Sequence, residues 1–157
     1  MKYIIFVFIC VFIFSQKAKS YEPAVFLNPG IKLGYQMGEG GGFVYGFELS
    51  LIALNKDYPI FGLVSNIDFC KGNTKLHFGV ELSAGIIGID IGPSFYFTEK
   101  ANYTGFTLGL YSLVFIMPYY ETSIFYTDTN SFTVNQYGTY LKIPIPMGGD
   151  GEFHIQF

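Results

Sequence analysis

The sequence predicts an all-β fold, an antiparallel up-and-down transmembrane β-barrel of eight strands, with ten as the alternative count. Three observations carry the prediction. Apolar residues recur at every second position through most of the chain beyond residue 24, the period of a strand with one apolar face. Half of the residues are hydrophobic and a fifth aromatic, yet beyond the first twenty positions no apolar run approaches the ~20 residues of a membrane helix. The 19 glycines are scattered within the apolar runs, which suits bent, closely packed strands better than helices. A soluble β-sandwich would alternate too, but it normally carries more than 13% charged residues.

Residues 1–20 stand apart from this pattern. Lys2 gives a positive start, Tyr3 to Phe14 is a twelve-residue apolar run, and Ala18-Lys19-Ser20 places small residues ahead of Tyr21. That is the layout of a cleaved secretory signal peptide, and the apolar run is too short for a spanning helix. The expected domain is therefore 21–157, with six lysines, no arginine and twelve acids, a formal charge of −6. Such a balance argues against a nucleic-acid partner, which wants a basic patch. One cysteine remains, Cys70, so no internal disulfide is expected and barrel closure must supply stability instead.

The strands follow in order. In 25–37 the odd positions are apolar (Val25, Leu27, Ile31, Leu33, Tyr35, Met37), while Asn28, Lys32 and Gln36 fall on the other face. Gly38 to Gly42 turns the chain, and 43–51 keeps the odd-numbered apolar phase with Gly46, Glu48 and Ser50 opposed. Asn55 to Pro59 is a turn, 61–69 a strand with Asp68 on its polar face, and Lys71 to Thr74 a turn. The next strand, 76–82, sets His77, Gly79 and Glu81 against Leu76, Phe78, Val80 and Leu82; the phase then slips by one near Ala84 to Ile87, marking a tight turn. Strands 87–97, 103–115, 119–126 and 132–145 follow, and the chain ends on Glu152 to Phe157. That makes nine runs where bacterial barrels carry an even number. Pro144 and Pro146 cannot donate to a ladder, so part of 132–145 is expected to be loop.

The terminal run is read as the closing strand, with Phe153, Ile155 and Phe157 on its apolar face. The signal peptide, short alternating strands and aromatic C-terminus together resemble the small outer-membrane β-barrel proteins of Gram-negative bacteria. The resemblance is one of pattern and covers the whole mature chain. It implies an outer-membrane location, contact with outer-membrane lipid, a monomer, and reading of Phe153, Ile155 and Phe157 by outer-membrane assembly machinery. The glycine usual five residues before the end of that class is displaced here to Gly151.

With the apolar face toward lipid, Lys32, Glu48, Asp68, His77, Glu81, Asp90 and Glu121 point inward. Turn centres predict the pairs Lys32–Glu48, Asp68–His77 and Glu81–Asp90, and facing opposite charges support one another. In a small barrel such groups fill the lumen. Glu81 facing Asp90 brings two acids together, which calls for a shared proton or a cation between them. No metal, cofactor or catalytic residue is assigned. A nucleophilic hydrolase needs a serine beside a histidine, and Ser83, on the face of His77, lies six residues away, roughly 20 Å along a strand. The expected function is non-catalytic, structural or at the cell surface. The alternatives are a secreted soluble lipocalin-like barrel binding an apolar ligand and, further off, a lipid-modifying enzyme.

Overall fold

The computed structural model describes residues 24–38, 40–54, 60–84, 86–112, 116–127 and 130–147. They form eight antiparallel strands: β1 (Ala24–Gly38), β2 (Gly42–Leu54), β3 (Ile60–Cys70), β4 (Asn73–Ala84), β5 (Ile87–Phe97), β6 (Asn102–Ser112), β7 (Met117–Tyr126) and β8 (Ser131–Lys142). Each pairs with its sequence neighbour, and β8 pairs with β1, from Gly30↔Lys142 to Gly38↔Val134. The sheet is thus a closed barrel. A two-residue strand, β9 (Ile145–Pro146), continues along β1 below β8, opposite Leu27 and Phe26.

Closure settles the strand count at eight and corrects the place of the last strand. The ring is completed by Ser131–Lys142, not by 152–157. The terminal run, with Phe153, Ile155 and Phe157, lies outside the described residues, as do the signal segment and the Asn55–Pro59 turn. The ladder is interrupted after Lys142 at Ile143-Pro144, where Pro144 has no donor to give, and pairing with β1 resumes at Ile145–Pro146. β7 begins at Met117-Pro118, two residues before the run expected from 119, with Pro118 facing outward.

Following paired residues once around the barrel gives Leu27, Leu51, Leu63, Val80, Ile91, Leu108, Thr122 and Asn135, then Met37. The path returns to β1 ten residues above its start, so the strands are strongly tilted, as an eight-stranded barrel requires. Two glycines permit close strand contact. A Cβ on Gly92 would sit 2.0 Å from the Phe78 carbonyl oxygen, and one on Gly138 would sit 2.1 Å from that of Leu33. Neither site has room for a side chain.

The alternation sorts side chains as expected for a barrel whose outside is apolar. Phe43, Phe47, Leu49, Leu63, Phe78, Ile89 and Leu108 are exposed on the outer face. Lys32, Lys75, His77, Glu121 and Gln136 are buried inside. The lumen also holds two aromatic clusters. Tyr96, Phe125 and Val134 pack with Tyr103 and Phe132 near the turns at 98–101 and 127–130. Tyr111, Met117, Tyr119 and Tyr140 pack together toward the opposite end.

Candidate functional site

The lumen between the two aromatic clusters concentrates the polar chemistry of the described chain. Its centre is a four-charge group. Lys32 on β1 donates to Asp68 on β3 at 2.8 Å and to Glu121 on β7 at 2.6 Å. Lys75 on β4 donates to the other Glu121 oxygen at 2.5 Å and lies 3.1 Å from Asp68. Gln136 accepts from Lys75 at 2.8 Å, and Tyr140 donates to Glu121 at 2.6 Å. Two ammonium groups and two carboxylates thus cancel within one fully buried cluster, the condition under which buried charge is tolerated. The Tyr119 ring lies 4.6 Å from Lys32 Nζ and supplies its negative face as a further partner.

Above this group, Gln136 donates to Gln36 at 3.0 Å, and Gln36 and Asn73 donate to the Tyr96 hydroxyl at 3.0 and 3.1 Å. Below it, Lys142 forms an ion pair with Glu48 and stands over the rings of Tyr111 and Tyr140. Tyr111 donates to Glu81 at 3.1 Å. To one side runs a chain of short contacts across four strands. Asp90 Oδ1 is 3.0 Å from His77 Nε2, His77 Nδ1 is 2.9 Å from Ser94 Oγ, and Thr107 Oγ1 lies 2.6 Å from Ser94 Oγ and 2.7 Å from Ser123 Oγ.

All seven acidic and basic residues expected inside are inside, but their partners differ. The Lys32–Glu48 pair does not form: the hairpin is displaced by two residues, so Lys32 faces Gly46 and Glu48 faces Gly30. Lys32 turns to Asp68 and Glu121 across the lumen, and Glu48 turns to Lys142. Asp68–His77 fails for the same reason, because β3 and β4 pair Asp68 with Lys75 and His77 with Asn66. Glu81 does face Asp90 in the β4–β5 ladder. Their carboxylates nonetheless point to separate partners, Tyr111 and His77. Among the described residues no group of three or more His, Cys, Asp or Glu side chains is arranged to hold a metal ion.

Several members went unpredicted. Lys75 and Lys142 share the inward phase of their strands, and that parity could have found them. Tyr96, Tyr119 and Tyr140 share the parity of Asp90, Glu121 and Lys142 on their strands, but residue type alone does not single them out, because tyrosine occurs on both faces. The histidine does have a serine neighbour, but it is Ser94 on the adjacent strand, not Ser83. An acid, a histidine and a serine in line invite comparison with a hydrolase triad. Ser94, His77, Thr107 and Ser123 have no exposed surface, and Ser94 is engaged on both sides. A nucleophile needs space for the carbonyl it attacks; this geometry serves cohesion.

No known protein family matches the chain, and no curated protein matches it. Among solved structures the chain is similar to Ail, the attachment invasion locus protein of Yersinia pestis, at 9% identity and a TM-score of 0.37, covering 78% of this chain and all of that one. The assignment of a closed eight-stranded antiparallel barrel rests on the strand pairing itself.

Proposed function

We propose that the chain is a β-barrel protein of the bacterial outer membrane with a non-catalytic structural or surface role, its lumen sealed by side chains. The observation that carries this is the inverted distribution of polarity. A belt of Leu, Ile, Val and Phe encircles the outside, while lysines, acids and amides are buried within. Water-soluble monomers rarely expose contiguous apolar patches larger than a few hundred Å², whereas lipid is the solvent such a belt requires. In a bilayer every backbone donor must also be paired within the protein, which a closed ring achieves.

A soluble barrel for an apolar ligand would need the opposite arrangement, with an apolar interior and a polar exterior. The described lumen is packed with charged and amide groups and offers no apolar cavity of that kind. The inward lysines are ion-paired with Asp68, Glu121 and Glu48, which favours a plug over a conducting path.

The test is fractionation of cells expressing the chain with its own leader, followed by gel electrophoresis with and without boiling. The expected result is recovery with the outer membrane and a heat-dependent mobility shift. A monomer recovered in the aqueous fraction and stable without detergent would overturn the reading.

A further inference from the structure

The charge group at the centre of the lumen is balanced, but the one below it is not. Lys32 and Lys75 offset Asp68 and Glu121. Beneath them stand three buried carboxylates, Glu48, Glu81 and Asp90. Lys142 offsets Glu48, and His77 stands against Asp90. Glu81 has only the Tyr111 hydroxyl, which donates to Oε2 and brings no charge. Its other oxygen, Oε1, is buried and accepts no hydrogen bond among the described residues. Burying a carboxylate without a countercharge is strongly unfavourable.

The surroundings of Oε1 are oxygens and a missing side chain. Glu81 faces Gly62 in the β3–β4 ladder, and Gly62 faces Ile52 on β2. With no side chain at 62, the Glu81 carboxylate leans over β3. The place a Cβ of Gly62 would take is 2.7 Å from Glu81 Oε1 and 2.9 Å from the Leu51 carbonyl oxygen on β2. Beside Leu51, Ser50 points into the lumen, 1% exposed, and its hydroxyl has no hydrogen-bond partner among the described residues. Gly62 is the third residue of β3, so this ledge lies at the mouth of the lumen and not in its sealed centre.

We propose that this ledge binds a small monovalent cation, sodium or potassium, with Glu81 as its countercharge and the Leu51 carbonyl and Ser50 hydroxyl as further oxygen donors. Oxygens are the donors that hard cations take. One unbalanced carboxylate matches one positive charge. Among the described residues no set of three acidic, His or Cys side chains is arranged for an ion that needs more. The site is not the one expected between Glu81 and Asp90, because Asp90 is turned to His77. Cation binding here requires the closed barrel, not the bilayer.

The test is urea unfolding of the purified chain in non-ionic detergent, followed by circular dichroism. Sodium, potassium and choline chloride are compared at one ionic strength, so that screening is equal. An ion bound only by the folded barrel stabilises it, and at about ten times its dissociation constant it raises the folding constant about tenfold. That rise over choline is expected in sodium or in potassium, and the larger of the two identifies the better-fitting ion. Glu81→Gln keeps the shape of the side chain and should lose the rise. Ser50→Ala removes one oxygen and no charge and should weaken it several-fold, while Asp90→Asn should keep it. Equal folding constants in all three salts would overturn the proposal, as would a rise that survives Glu81→Gln. A folding constant that ignores the salt but follows pH, in the parent and not in Glu81→Gln, would assign the balancing charge to a proton and overturn it as well.

Discussion

The buried charge cluster makes a quantitative prediction about Glu121. This carboxylate accepts three hydrogen bonds, from Lys32, Lys75 and Tyr140, and is 1% exposed. Glu121→Ala leaves two buried ammonium groups with only Asp68 between them, a net charge of +1 in the lumen. Removing one partner from a buried pair typically costs about 3–5 kcal/mol, and here two partners are stranded, so the upper half of that range is expected. Glu121→Gln preserves shape and one acceptor but not the charge, and should lose somewhat less. The decisive variant is Glu121→Gln combined with Lys75→Met, which restores neutrality while keeping Lys32 paired with Asp68. It should regain at least half of the loss, because an ion pair replaced as a unit by neutral groups is often close to neutral in stability. Urea titrations of the folded barrel in vesicles, read by the boiled and unboiled gel bands, supply the free energies. If Glu121→Ala and Glu121→Gln both fall within about 0.5 kcal/mol of the parent, as ordinary surface changes do, the cluster does not hold the barrel together. A double variant worse than either single one would refute the role of charge balance.

Lys142→Ala should destabilise by about 3 kcal/mol for the same reason, since it strands the Glu48 carboxylate, while the pair Lys142→Met/Glu48→Gln should recover part of that in the same titration. Gly92→Ala should prevent the compact gel form or weaken it by more than the ~1–3 kcal/mol of ordinary overpacking, because the added methyl meets the backbone oxygen of Phe78; a normal mobility shift would show that β4 and β5 can part there. Ser94→Ala should lower stability by roughly 1 kcal/mol, the worth of a hydrogen bond, and leave any ester or phospholipid hydrolysis by the purified chain unchanged. Loss of such activity in Ser94→Ala alone would mean that the His77 chain reaches substrate after all.

The fold was legible because its period is two. Once the odd face of β1 to β3 is set outward, parity places Lys32, Glu48 and Asp68 inside, and the slip near Ala84 places Glu81 and Asp90 on one face. Pairing was less legible, because a hairpin's register depends on where its turn is centred. Misplacing the β1–β2 centre by one residue moved Glu48 from beside Lys32 to beside Gly30. Cross-lumen contacts were illegible altogether: Lys32 meets Glu121 across 89 positions of sequence, and no local pattern records that distance. The closing strand was misassigned because 131–142 has the weakest apolar face of the eight, whereas 152–157 has a clean one that ring closure does not use.

The pairing of β8 with β1 also bears on how the barrel forms. The other seven strand contacts join neighbours across a turn, so each can form as soon as its hairpin exists. The eighth brings Lys142 back to Gly30 over more than a hundred intervening residues, a loop whose closure entropy is met only once. Closure must therefore wait for nearly the whole chain, and a partly built sheet keeps two unpaired edges until then. Kinetic control belongs to this last contact, so substitutions along β8 should slow assembly more than equally destabilising ones in β3 or β4.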